Sequence, residues 1–264
     1  MTSLASARSI SPRYSIADRR RHAMDHTLEL GTAMSRFADF AGLGTGDEPI
    51  PTCEGWTMRD LVTHLGTVHR WAAGIVLTGQ RVASPTPVVT EPVADWYAGN
   101  ATALLGAFQA VSLAEPIPNF THNGETVAFW PRRQLHEATV HGVDAAQALG
   151  FDESSWIVDP AVAADGIDEV LQAFFPRLTA QGRRPDVRSR IRLVATDVQQ
   201  SWIIGPRSGE AGPPLQLHSS LEADTVVSGT ASDLYLGLWG RAGSDRLEFD
   251  GVDGRILLDG PTTL

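Results

Sequence analysis

The chain has 264 residues, of which 42% are hydrophobic, and its formal net charge is −10 at pH 7. This length is enough for one large domain or two small ones, and no apolar run is long enough to span a membrane. An acidic chain without a basic stripe argues against binding to nucleic acid or to an anionic membrane. The single cysteine, Cys53, excludes an internal disulfide and indicates a reducing cytoplasm.

The elements predicted along the first part of the chain are helical. Residues 1–24 are rich in arginine, serine and alanine without an apolar segment, which predicts a disordered leader, and Met24 is an alternative start. Apolar residues then recur at helical spacing over 26–41, 57–79, 95–111, 131–149 and 159–178. Thr57 and Asp60 have the spacing of a capping box at the start of the second helix, and Pro176 predicts a bend in the fifth.

The chain changes character near residue 183. Short β-rich runs are predicted as strands at 190–196, 201–204, 215–219, 225–227, 247–249 and 255–258. A short helix is predicted at 231–239. We therefore predict an α+β fold in which the leader is followed by a helical bundle over 25–182 and by a small α+β domain over 183–264.

A stripe of polar residues marks the fourth helix. Arg133, Glu137, His141 and Asp144 lie three or four positions apart, so they share one helical face, and Glu137 and His141 are placed to chelate one ion. A solvated polar face is the alternative interpretation of this helix. His136 lies about 100° around the helix from Glu137 and is expected outside any such site.

The second helix adds a histidine to an otherwise apolar face. His64 lies three positions after one leucine and four before a valine, whereas His69 is expected at the surface or at a helix edge. Taken alone, His64 favours the interpretation of a core histidine bonded to backbone carbonyls. In an antiparallel bundle, however, inward side chains of different helices converge. His64, Glu137 and His141 therefore predict a metal site with an open position, as in catalytic sites. Zinc is favoured, and nickel, iron, cobalt or manganese stay possible.

Two segments resemble the signatures of one family. The stretch Ile50–Leu65 reads IPTCEGWTMRDLVTHL, and residues 133–144 contain the pattern Arg-x-x-x-Glu-x-x-x-His-x-x-Asp. Both are similar to the DinB-like, mycothiol-dependent maleylpyruvate isomerase family of actinobacteria. The segment Thr225–Arg241 resembles the sterol-carrier-like C-terminal domain of that family. The resemblance implies a four-helix, DinB-like metal domain followed by that second domain.

The resemblance also implies roles for individual residues. The metal ligands would be His64, Glu137 and His141, and the open position would take the thiol of mycothiol. Asp144 would be a polar or acid–base group beside the metal, and Arg241 would be presented to the cleft by the second domain. Arg133 shares the signature and completes the set of catalytic candidates, which is Arg133, Asp144 and Arg241. A Gly-Arg pair such as Gly240–Arg241 can also simply end a helix favourably.

The predicted function is metal-dependent thiol chemistry. A divalent ion makes a thiolate available, which can add to a double bond and leave after rotation, or can displace a leaving group. The expected partners are mycothiol and a small electrophile, and the expected state is a monomer. The alternatives are a metal-dependent hydrolase and a non-catalytic protein that binds a thiol conjugate. Cys53 precedes a helix N-terminus, which would lower its pKa, but we favour a loop residue packed under Trp56.

Overall fold

The computed structural model describes residues 24–89, 92–121, 125–183, 187–205, 215–217, 221–241, 243–251, 253–260 and 262. The predicted leader lies outside these residues, apart from its last position. The first half of the described chain contains four long helices: α1 His26–Leu43, α2 Met58–Thr78, α3 Val93–Ala110 and α4 Phe129–Ala148. Four helices were predicted here, and each predicted end lies within two residues of the observed one.

The four long helices pack as a bundle. α1 packs mainly on α4, α2 packs mainly on α3, and further contacts join α2 to α4. The predicted capping box begins α2, since Thr57 and Asp60 each accept a hydrogen bond from the other's backbone N–H. Gly66 allows the close approach of α3, because a Cβ there would lie 2.3 Å from the Trp96 ring. These contacts fix the position of α2, which carries one of the candidate ligands.

A broken helix follows the bundle. It consists of α5 Pro160–Glu169, a π-helical turn Val170–Phe174 and α6 Phe175–Ala180. The sequence predicts one helix bent at Pro176, and the structure has the wider turn directly before that proline. Proline has no N–H to donate and its ring clashes with the carbonyl four positions back. The wider turn, in which the Phe175 N–H donates to Val170 O, relieves that clash.

The described residues of the second half of the chain include a five-stranded sheet. Its strands are β1 Ile191–Ala195, β2 Gln200–Gly205, β3 Leu215–Leu217, β4 Thr225–Gly229 and β5 Glu248–Asp250. The order is β3-β2-β1-β4-β5, with β1 and β4 parallel and the other neighbours antiparallel. Two helices pack on the sheet, α7 Ala231–Leu238 and α8 Asp253–Asp259, and one-turn 3₁₀ helices lie at Glu153–Ser155 and Ser244–Arg246. The predicted α+β class is confirmed.

The prediction of a last strand at 255–258 is wrong. These residues belong to α8, which packs on β4 and β5. Within α8, Leu257 is buried and Arg255 extends over the Phe249 ring, 4.4 Å from its centroid. Three consecutive apolar residues show neither the period of a strand nor that of a helix, so packing against the sheet decides the conformation.

The two halves of the chain are in contact through α5 and α7. A Cβ on Gly166 would lie 2.2 Å from the ring of Tyr235, so only glycine allows these helices to approach this closely. The Val158 N–H donates to the Ser232 hydroxyl at 3.1 Å across the same interface. One apolar core includes residues of both halves, and the domain boundary at residue 182 stays a prediction. Among the described helices, none combines the length and the apolar character needed to cross a bilayer.

Candidate metal centre

Three candidate ligands from α2 and α4 converge on one point. His64 Nε2 lies 3.2 Å from Glu137 Oε1, and His141 Nε2 lies 3.5 Å from the same oxygen. One ligand atom from each residue lies within 4.8 Å of the other two. Ligand atoms about 2 Å from one tetrahedral ion are separated by roughly 3.3 Å, which both measured distances match. The donor set, two imidazoles and a carboxylate, fits zinc and related divalent ions.

The three side chains differ in exposure. Glu137 and His141 lie one helical turn apart on α4 and are mostly buried, whereas the His64 side chain is 34% exposed. The ring of Trp56 lies 5.0 Å from that of His64. His64 is therefore the most accessible of the three candidate ligands.

Arg133 holds the carboxylate of Glu137 in place. Its guanidinium donates to Glu137 Oε2 and, from its other terminal nitrogen, to Glu169 Oε2, and Arg133 and Glu169 are both buried. Burial opposes the ionisation of Glu137, but Arg133 and the hydrogen bonds from His141 and His64 outweigh it and hold the pKa of Glu137 well below its usual range. At Glu169 burial prevails over Arg133 and raises the pKa. The positive charge of Arg133 is therefore shared between two carboxylates.

Asp144 orients His141 from behind. Its Oδ2 lies 2.8 Å from His141 Nδ1, which places the proton on Nδ1 and leaves Nε2 free as a ligand atom. The Thr52 hydroxyl donates to Oδ1, and the carboxylate is fully buried. Burial alone would raise the pKa of Asp144, but its hydrogen bond to His141 and the nearby Arg241 lower it. Asp144 is therefore an ionised orienting group in this geometry.

Arg241 reaches this carboxylate from the second half of the chain. Its Nε lies 3.1 Å from Asp144 Oδ1, and its Nη2 lies 3.1 Å from Oδ2. Nη1 donates to the carbonyl of Trp239 at 2.7 Å. Every terminal nitrogen of Arg241 has a partner, and because Trp239 is the C-cap residue of α7, Arg241 both bonds the end of that helix and reaches Asp144.

Cys53 lies beside the same pair. Its Sγ is 3.9 Å from Asp144 Oδ2 and 3.7 Å from Arg241 Nη2. Burial, reinforced by the negative charge of Asp144, raises the pKa of the thiol. The lowered pKa expected from a helix N-terminus is not found, which favours the interpretation of Cys53 as a packed loop residue.

A pocket of about 590 Å³ contains the triad. Its walls combine the three candidate ligands with aromatic rings and three arginines, Arg133, Arg177 and Arg241. The aromatic residues that line it are Trp56, Trp71, Phe120, Phe174 and Trp239. The pocket is therefore large enough for a drug-sized molecule and mostly apolar away from the triad.

Two other histidines on these helices lie outside the triad. The prediction that His69 lies at the surface is wrong, since it is fully buried with Nδ1 2.6 Å from Gln134 Oε1. α2 packs on both α3 and α4, so more than one of its faces is covered. Burial lowers the pKa of His69 to about 4. His136 faces α5 instead, where its Nε2 lies 2.8 Å from Asp165 Oδ2.

Sequence reasoning missed several residues that support the site. Glu169 lies 36 positions from Arg133 and on another helix, so no periodicity links the two. Thr52 belongs to the signature loop, yet its contact with Asp144 spans 92 positions. For Glu169 a weak signal exists, since it lies in helical phase with the apolar positions Val162, Gly166 and Ala173. Buried acids of that kind require a cationic partner.

Two family models match the chain. Residues 29–146 match the mycothiol maleylpyruvate isomerase N-terminal domain. Residues 161–258 match the MDMPI C-terminal domain, in which MDMPI abbreviates mycothiol-dependent maleylpyruvate isomerase. The two matches together cover most of the chain and follow the order of its two halves. No curated protein sequence matches the chain.

Solved structures with the same fold were also found. A crystal structure of a histidine-to-alanine mutant of the mycothiol-dependent maleylpyruvate isomerase aligns with a TM-score of 0.60 at 14% identity, covering 87% of this chain and 94% of that one. A crystal structure of the mycothiol-dependent maleylpyruvate isomerase aligns with a TM-score of 0.55 at 15% identity and the same coverage. At such identities the likeness concerns the fold, and it extends over both halves of the chain.

Proposed function

Because the chain belongs to the mycothiol-dependent maleylpyruvate isomerase family, we propose that it catalyses a mycothiol-dependent reaction at a divalent ion held by His64, Glu137 and His141. Family membership makes the chain an enzyme. The observation that carries the proposal is the convergence of three ligand atoms on one wall of a large pocket. Zinc as the ion, a cytoplasmic location and a monomeric state are parts of the same proposal.

The ion and the protein would make different contributions to the reaction. A divalent ion in this position supplies a positive charge that lowers the pKa of a coordinated thiol, which is about 8.5 when free. The protein holds two of the metal ligands in position through hydrogen bonds. Asp144 fixes the ring of His141, Arg133 fixes the carboxylate of Glu137, and aromatic rings line the pocket beside them.

The reaction that we propose is addition and elimination at a conjugated double bond. The thiolate of mycothiol adds to one alkene carbon, and the electron pair moves onto the adjoining carbonyl group. Rotation about the new single bond follows, the electrons return, and the thiolate leaves, so the thiol is regenerated and the cis alkene becomes trans. With a substrate that carries a leaving group, the same thiolate would displace it, and the product would be a thioether.

The hydrolase alternative differs from thiol chemistry in the group that would occupy the open position of the ion. A metal-bound water can lose its proton near neutral pH without a protein base. Among the described residues of the pocket, Glu137 contacts Arg133 and both histidines, and the adjoining Asp144 accepts four hydrogen bonds from Thr52, His141 and Arg241. Membership of a mycothiol-dependent family is therefore what favours thiol chemistry over the hydrolase alternative.

The test is turnover of maleylpyruvate by the purified enzyme with mycothiol, with a simple alkyl thiol, and without thiol. We expect turnover that depends on mycothiol and that His64→Ala abolishes. Products are followed by chromatography, which separates the cis acid, the trans acid and thioethers. Turnover without any thiol would support the hydrolase alternative. No turnover by a metal-loaded, folded enzyme would contradict isomerisation, and a panel of alkyl halides would then test S-transfer.

A further inference from the structure

The three arginines of the pocket differ in how their charge is used. Arg133 lies between two carboxylates, those of Glu137 and Glu169. Arg241 donates to both oxygens of Asp144. A guanidinium bound by a buried carboxylate has little remaining attraction for an anionic ligand, because its charge is already compensated. Two of the three positive charges are therefore unavailable to a substrate.

Arg177 is held in a different way. Its guanidinium carbon lies 5.0 Å from the centroid of the Phe120 ring, and within the described part of the chain it forms no ion pair with a carboxylate. A cation over a ring face is positioned by the quadrupole of the ring, while its N–H donors, which lie in the guanidinium plane, stay free. Arg177 is half-buried and lines the pocket. It therefore combines a fixed position with an uncompensated charge.

The ring beneath Arg177 is itself part of a rigid wall. Phe120 packs edge-on against Phe129 at 5.1 Å and more loosely against Phe174 at 6.2 Å. The π-helical turn ends at Phe174, three positions before Arg177, so the turn places both residues at this wall. An apolar surrounding weakens the screening of a charge by water and strengthens its attraction for an anion.

We infer that Arg177 selects the substrate by binding its carboxylate, while the conjugated part of the substrate lies along the aromatic wall. This inference rests on the proposed function, which places an electrophile in the pocket. Arg177 is then the residue that determines specificity for an ionised carboxylate over a neutral group of the same shape. A planar guanidinium binds a carboxylate through two parallel hydrogen bonds, and a neutral ester or amide of the same shape cannot form both charge-assisted bonds.

Equilibrium binding of cinnamate and of cinnamamide to the metal-loaded enzyme, followed by tryptophan fluorescence, tests the inference. The two probes share one planar shape and differ in charge. We expect wild type to bind cinnamate about tenfold or more tightly than cinnamamide, as charge-assisted hydrogen bonds allow. Arg177→Gln is expected to lose that preference and to bind cinnamamide as wild type does. Arg183→Gln, which alters an exposed arginine just beyond α6, is the matched control.

Two outcomes of this experiment would contradict the inference. Equal binding of the two probes by wild type, or an undiminished preference in Arg177→Gln, would overturn the assignment. Carboxylate binding to the metal ion alone would persist in Arg177→Gln and would count as that second result. If Arg177→Gln is misfolded by circular dichroism, Arg177→Lys takes its place, and it should keep the charge but lose part of the preference. No mycothiol enters this experiment, so failure of the proposed reaction leaves a measured preference for cinnamate standing.

Discussion

Arg241 donates to both carboxylate oxygens of Asp144, at 3.1 Å each, although 97 positions separate the two residues. Asp144 in turn fixes the ring of His141. The orientation of a candidate metal ligand in the helical bundle is therefore linked to a side chain that follows α7, in the other half of the chain. Packing between the halves and geometry of the site are coupled through this one carboxylate.

The Asp144–Arg241 pair should be strongly coupled. Each single variant, Asp144→Asn or Arg241→Gln, removes the ion pair and leaves the other member without it, and we expect each to lower the free energy of unfolding by about 3 kcal/mol. The double variant should cost clearly less than the two single variants together. Denaturant unfolding of the four proteins measures this cycle. Strict additivity would show that the two side chains do not interact in solution.

Metal binding should require each member of the triad. His64→Ala and Glu137→Ala are expected to purify with much less than one ion per chain, because two remaining ligands hold a divalent ion poorly. The control is His26→Ala, which alters a half-buried histidine that is bonded to Asp165, outside the triad. Elemental mass spectrometry gives the metal content. Wild type that takes up neither zinc nor nickel would contradict the proposed site.

Asp144→Asn should also weaken metal binding without removing a ligand. The amide cannot stabilise the Nδ1–H form of His141 as a carboxylate does, and changes of this kind typically cost 10–100-fold in affinity. Competition with a chromogenic chelator measures the affinity, with Gly31→Ala as a control, since Gly31 does not line the pocket and a Cβ there would meet no atom within 4 Å. Unchanged affinity in Asp144→Asn would mean that the ring of His141 is held by other contacts.

The removal of Arg133 should lower the free energy of unfolding more than the removal of Glu169. Arg133→Gln leaves two buried carboxylates without their shared cation, and we expect a loss of about 3–5 kcal/mol. Glu169→Gln leaves Arg133 paired with Glu137, and its effect should be smaller. Denaturant unfolding in the presence of a chelator keeps metal affinity out of the comparison. The reverse order would show that Glu169, and not Arg133, is the central member of the cluster.

His69 should make stability dependent on pH. Its pKa is about 4 in the folded chain and 6.5 as the reference for the unfolded chain, so only the unfolded chain takes up this proton between those values. Stability should therefore fall as the pH decreases from about 6.5 towards 4, by up to about 3 kcal/mol. In His69→Leu the free energy of unfolding should depend less on pH in this range, by the equivalent of close to one proton bound on unfolding. Denaturant unfolding of metal-free protein at several pH values measures this dependence. Equal slopes in both proteins would show that His69 is protonated in the folded chain.

The fold could be predicted largely because its signals are local. The spacing of apolar residues gave the four long helices, and the capping box at Thr57 located the start of α2. The convergence of His64 with Glu137 and His141 could also be predicted, since each helix carries its own periodicity and a bundle directs such faces inward. Metal binding by the three residues stays a prediction.

Other features depend on contacts that no local pattern contains. His69 is buried because α2 is covered on more than one side, and periodicity along α2 cannot show how many neighbours pack on it. Glu169 acquires its role only when α5 is placed beside α4. Arg177 can be distinguished from Arg133 and Arg241 only once the partners of all three are known.

The close contact between Gly166 and Tyr235 limits which second halves could be joined to this bundle by recombination. A chimera that joins the bundle to a foreign sheet near residue 182 would have to keep an aromatic ring fitted to that glycine and an arginine able to reach Asp144. A hybrid that lacks the fitted ring would lose the close packing of α5 on α7, and one that lacks the arginine would also lose a contact that holds Asp144. Point substitutions around the pocket leave both contacts intact, whereas exchange of the second half replaces both at once.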